Sequence, residues 1–256
     1  MKKGALFLIC IVFAIGVGFW IQKAYQPQRE SIPDPLIVGT SADYKPLAFR
    51  DENNDIQGFD IDLTAEIARR LGVTYRIKDL AFEFLLYELQ NTSIHVVAAG
   101  LSYTEKRAEQ VTFTQPYMVE DPLVVVTTAD KQEEIQDVSD LYHKTVAVNQ
   151  GYTAETYITS FDTITPLRLP SVSEAILALK AGKADAFVTA SHSMKPVLQE
   201  YGGDDFAVFS VHNATETISL AVSQAYPKLH TEINRIVTQL QNEGILEHLK
   251  DKWQIS

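Results

Sequence analysis

The chain has 256 residues, with 33 acidic against 22 basic side chains, a net charge of −11 and a single cysteine. A charge of that sign argues against nucleic-acid or anionic-membrane partners, which need clustered Lys and Arg, and one cysteine excludes a disulfide framework or a cysteine-rich zinc site. An apolar fraction of 46% excludes wholesale disorder.

In chain order, residues 1–24 come first. Lys2 and Lys3 precede an unbroken apolar run over residues 5–21. That pattern is a secretory signal, either cleaved or kept as an N-terminal anchor, because the run sits at the lower edge of a membrane-spanning length. Cys10 lies inside the run and reads as a small apolar residue rather than a lipidation site. Residues 25–35, with three prolines, read as a linker. Strands are expected at 36–40, 73–77, 95–99, 123–128, 145–149, 165–169, 185–189 and 219–223. Helices are expected at 59–71, around 82–89, from 153, at 171–181 and over 226–252 with a break at Gly244. Strands alternating with helices mean βαβ units. The pattern runs twice, before about residue 120 and again over about 123–210. The last strand and helices are expected to return to the first unit. Two α/β lobes joined by two crossings, near 117–122 and 214–218, would face a cleft at the carboxyl ends of their strands.

The stretch from Gly58 to Leu71 is a turn glycine followed by a helix with Asp60 and Asp62 in its first turn. Acids there read as caps and dipole partners, not catalytic carboxylates. With Gly39-Thr40, Tyr44-Lys45-Pro46, Ala99 to Arg107, Val146 to Thr153, Gly182 to Ala186 and Lys252-Trp253, this stretch resembles bacterial solute-binding proteins of family 3, the polar amino-acid receptors of ABC importers. The resemblance spans Leu36 to Ile255.

The resemblance implies a type II periplasmic-binding-protein fold of class α/β. Each lobe is a mixed, mainly parallel sheet flanked by helices, with residues 36–118 plus 217–256 in lobe 1 and 119–216 in lobe 2. It also implies a ligand site. Arg107 would grip the ligand's α-carboxylate, since a guanidinium fork matches two carboxylate oxygens. Ser102 would assist it, Ala99 and Gly100 would present backbone groups, and Tyr44 and Phe82 would sandwich the ligand's side chain. Gly151, Tyr152 and Thr153 would close on the carboxylate from the second lobe. Two positions depart from the family pattern. Ala190, following Thr189, stands where an acid usually binds the ligand's ammonium, and Ser41 stands where receptors for lysine-type ligands often carry an acid. Asp43, Glu120 and Glu155 are the acids able to compensate.

No metal or nucleophile motif is present, no phosphate-binding loop occurs, and the six histidines are scattered. The expected function is extracytoplasmic capture of an arginine- or glutamine-like amino acid for a membrane permease, by a monomer without cofactor or catalysis. The expected location is the periplasm or another extracytoplasmic space, with a tether through residues 5–21 as one option. The alternatives are an exported dehydratase-type enzyme and a ligand sensor on the same scaffold.

Overall fold

The computed structural model describes residues 29–255. The signal or anchor at residues 1–24 lies outside the described residues, and no helix among those described is long and apolar enough to cross a membrane. The tail of the expected linker is docked on the protein. The Arg29 N–H donates to Ala225 O at 2.7 Å, and Asp34 Oδ1 accepts from both the N–H and the hydroxyl of Thr74.

The elements run β1 (Leu36–Thr40), β2 (Asp43–Tyr44), β3 (Ala48–Arg50), β4 (Ile56–Gln57), α1 (Phe59–Leu71), β5 (Tyr75–Asp79), α2 (Leu85–Gln90), β6 (Val96–Val97), α3 (Glu105–Ala108), β7 (Thr112–Phe113) and β8 (Met118–Thr128). They continue with β9 (Thr145–Asn149), α4 (Thr153–Ile158), β10 (Thr165–Leu169), α5 (Val172–Lys180), β11 (Ala186–Ala190), α6 (Met194–Tyr201), β12 (Phe206–Ile218), β13 (Ala221–Val222), α7 (Pro227–Asn242) and α8 (Ile245–Lys252). Two five-stranded sheets result, ordered β5-β1-β6-β13-β7 and β10-β9-β11-β8-β12, with a small sheet β2-β3-β4 beside the first. Both large sheets share one plan. Three neighbouring strands are parallel, and the remaining pairings are antiparallel. β11, central in its sheet between parallel β9 and antiparallel β8, is buried along its whole length, as a strand covered on both faces is.

The long strands β8 and β12 pair antiparallel and carry the two crossings between lobes. Their register shifts between Ser210 and Thr215 and again between Glu216 and Ile218, while Glu120 has φ 55°. Bulges of this kind bend a strand where pairing has to change partner. Alternating buried and exposed residues hid β12 from a reading based on continuous apolar runs. β5 starts two residues later than the spacing predicts. Gly72, left-handed at φ 71°, ends α1, and Thr74 O takes the Leu36 N–H before the strand begins.

The helix α1 anchors the first lobe. It buries Phe59, Leu63 and Ile67, each contributing about 1.5–3 kcal/mol of transfer free energy. Gly58 precedes it at φ 135°, and a Cβ there would stand 2.2 Å from Leu47 O, so only glycine fits. Its two early acids do something other than capping, since the helix start has no side-chain cap. Asp62 Oδ2 accepts from Lys252 Nζ at 2.6 Å and Trp253 Nε1 at 2.7 Å, fastening the end of α8 to the lobe. The Arg70 guanidinium holds Glu243 after α7 in the same way. The returning β13 lies between β6 and β7.

Candidate functional site

The first wall of the site is the segment after β6. Gly100 takes φ +60°, where an added Cβ would come 2.8 Å from the Tyr44 ring. The turn is held by Asp60, whose carboxylate accepts the Gly100 N–H at 2.7 Å and the Tyr117 hydroxyl at 2.7 Å. Burial raises the Asp60 pKa to about 6, opposed by those two donors and by nearby His192. Downstream, Ser102 bridges to Ile218, and the Tyr103 N–H donates to Thr217 O. The start of the wall is thereby clipped to the second crossing strand. Thr104 caps α3 by accepting the Arg107 N–H at 3.2 Å.

That short helix presents Arg107. Its Nη1 donates to Ser102 O at 2.6 Å, and its Nη2 to Gly151 O at 2.9 Å. The guanidinium thus joins carbonyls of both lobes, with its carbon 5.8 Å from the Phe82 ring centre. Burial lowers its pKa from the usual arginine value, with Glu216 pulling the other way, and arginine remains charged throughout.

The opposing wall is the turn from β9 into α4. Gly151 sits at φ +84°, and its N–H is taken by Glu155 Oε2 at 2.7 Å. Glu155 is tied in turn to Arg168. Tyr152 follows as a buried ring. Its centre lies 4.2 Å from that of Phe82 and 5.3 Å from that of Tyr44. The two expected sandwich rings therefore flank a tyrosine of the opposite lobe. Burial drives the Tyr152 hydroxyl pKa well above the phenol range, so it stays neutral.

The crossings form the floor. Asp121 on β8 and Glu216 on β12 are opposed Cα partners, and both are buried. Asp121 accepts from the Ser191 hydroxyl, the His192 N–H and, at 2.5 Å, pairs with His192 Nδ1. Glu216 accepts only the Ser102 hydroxyl, at 3.0 Å, among the described residues. Burial raises its pKa, the Ser102 bond, His192 and Arg107 oppose that rise, and Asp121 adds to it. His192 Nε2 and Thr189 Oγ1 are buried without a hydrogen-bond partner, and the His192 ring packs edge-on to Tyr44 at 5.3 Å.

A cleft of about 740 Å³ opens between these walls, lined by Ser102, Arg107, Gly151, Thr153 and Glu216 among others. Tyr44, Phe82 and Tyr152 cluster beside it through their rings, and Gly100 packs on Tyr44. Ala99 is a buried neighbour of Gly100 in sequence, and Thr189 lies buried in β11. Ser41 sits apart. Its hydroxyl bonds Asp43, and it lines a separate 270 Å³ depression with Asp79. Of the three acids able to compensate, Asp43 serves Ser41, Glu155 serves Gly151, and Glu120 is exposed. Sequence reasoning missed Asp60, Tyr117, Asp121, His192 and Glu216. A usable signal was present only on β8, where Asp121 interrupts an otherwise largely buried strand; the polar alternation of β12 masked Glu216. No group of residues suited to a metal occurs among the described residues.

The comparisons agree with this architecture. The pattern of the bacterial extracellular solute-binding proteins, family 3, matches residues 36–255. The arginine-binding extracellular protein ArtP of Bacillus subtilis is 28% identical over 99% of this chain and 98% of that one. An ancestral arginine-binding protein, solved with arginine, superposes with TM-score 0.82 at 30% identity, over 87% of this chain and 99% of that one. The ancestral amino acid-binding protein AncCDT-1, a precursor of cyclohexadienyl dehydratase, superposes with TM-score 0.77 at 31% identity, over 86% and 95%. With the pattern covering nearly every described residue and the two-sheet plan shared with such relatives, the chain belongs to the bacterial extracellular solute-binding proteins of family 3.

Proposed function

We propose that this protein captures a polar amino acid, arginine- or glutamine-like, between its two lobes and delivers it to the membrane permease of an ABC importer outside the cytoplasm. The observation that carries this reading is Arg107, a charged guanidinium on the cleft wall with one N–H on each lobe. A ligand carboxylate can replace the Gly151 carbonyl on one arm, exchanging a neutral acceptor for an ionised one that bonds about twice as strongly. The names of the relatives support the ligand class. The lobes are taken as 36–118 plus 217–256 and 119–216, closing about β8 and β12 as hinges. The protein acts as a monomer, without covalent chemistry, and residues 5–21 either direct export or tether it.

The test is a thermal-shift panel of the proteinogenic amino acids against the full chain. Ligand at about 100 times its dissociation constant adds about 2.7 kcal/mol of stability. Arg107→Ala is expected to keep its fold and lose that shift; an undiminished shift would remove Arg107 from the site. A dehydratase-type reading is kept open by the likeness to AncCDT-1. Turnover of prephenate-like cyclic acids would favour it over transport.

A further inference from the structure

We propose that Glu216 is the anionic anchor for the ligand's amino group, so that the cleft recognises a zwitterion with its carboxylate on Arg107 and its ammonium on Glu216. The inference rests on the amino-acid reading above and assigns a second binding residue to it.

Three observations carry it. Glu216 is 8% exposed yet lines the cleft together with Arg107. A carboxylate removed from water to that degree is costly unless it is paired, and among the described residues Glu216 has one hydroxyl donor and no ion pair. Its cross-strand neighbour Asp121 occupies an equally buried position and is satisfied by Ser191 and His192. The fold therefore completes the shell of one acid and leaves the other short of donors on the side of the cleft.

The second observation is what couples the two anchors. Ser102 accepts Arg107 Nη1 on its carbonyl and donates its hydroxyl to Glu216. Cation and anion are thus held by opposite groups of one residue. Anchors that converge on one residue suit a carboxylate and an ammonium on a single carbon better than two charges at opposite ends of a long side chain. The third observation is exclusion of the other acids. Asp60 has both oxygens committed, to Gly100 and Tyr117, and Asp43 is bonded to Ser41 at a separate depression.

The experiment uses the full chain and the amino acid giving the largest shift in the panel, paired with its deaminated analogue: L-arginine with guanidinovalerate, or L-glutamine with glutaramate. Titration calorimetry is run on wild type, Glu216→Gln and Arg107→Ala, with thermal melts as the folding control. Wild type is expected to prefer the amino acid, and Glu216→Gln to weaken it by roughly 10- to 100-fold. The same variant is expected to leave the deaminated analogue nearly unchanged, so that discrimination collapses. Equal loss of both ligands, or discrimination kept at the wild-type ratio, overturns the assignment of Glu216 while leaving amino-acid binding intact. Silence of wild type across the whole panel overturns the amino-acid reading itself, and this inference with it. A Glu216→Gln chain that fails to melt cooperatively marks Glu216 as structural and overturns the assignment.

Discussion

Asp121 and Glu216 face each other across the two crossing strands, equally buried, and differ in what surrounds them. Asp121 has donors from a hydroxyl, a backbone N–H and an imidazole. Glu216 has one hydroxyl. Burial alone does not separate these two acids, whereas the number of hydrogen-bond donors around each does, and under the proposed assignment the ligand's ammonium supplies what Glu216 lacks.

The largest effect should come from the satisfied acid. Asp121→Ala strips the acceptor from His192 and Ser191 at once, and breaking a buried pair typically costs about 3–5 kcal/mol. Urea unfolding of the variant measures this directly, and a loss below about 1 kcal/mol would mean that the network adds little. An intermediate effect belongs to Asp60, the third buried acid. Its pKa is raised in the folded state from 3.8 to about 6, so the native state holds the proton more tightly than the unfolded chain. Its contribution is therefore complete below pH 4 and is lost as the pH rises to about 6, by about 2–3 kcal/mol. Asp60→Asn should flatten that part of the stability profile, and an unchanged slope would remove Asp60 as its source. The smallest effect is expected for Glu216→Gln in the absence of added amino acid. The amide keeps an acceptor for Ser102 and removes a buried charge, so chemical denaturation should place it within about 1 kcal/mol of wild type. A loss as large as that of Asp121→Ala would erase the distinction between the two acids.

Much of the fold was legible because its signals are local. β1, α1, β9 and β10 coincide with the runs that predict them, and the Gly244 break between α7 and α8 lies where the glycine stands. β12 was not legible, since its polar residues alternate with buried ones and its partner β8 lies far away in sequence. At the site, Arg107 and the residues around it were accessible through the motif that contains them. The floor was not. Asp121, His192 and Glu216 come from three separate elements, and only tertiary pairing brings them together. Asp60 shows the reverse problem. Its place in a helix's first turn suggests a cap, but α1 buries that turn and points the carboxylate at Gly100 and Tyr117 instead.

The guanidinium of Arg107 holds one carbonyl from each lobe. Under the proposed function, a carboxylate arriving at that arm meets a donor already engaged, so capture is an exchange of acceptors rather than the filling of an idle one. The contribution of that arm to capture is then the difference between two hydrogen bonds, smaller than either alone. The same contact links lobe to lobe, and it re-forms on Gly151 as the cargo departs. Release of the ligand is thereby coupled, on the proposed reading, to the recovery of an internal bond, which lowers the work of unloading.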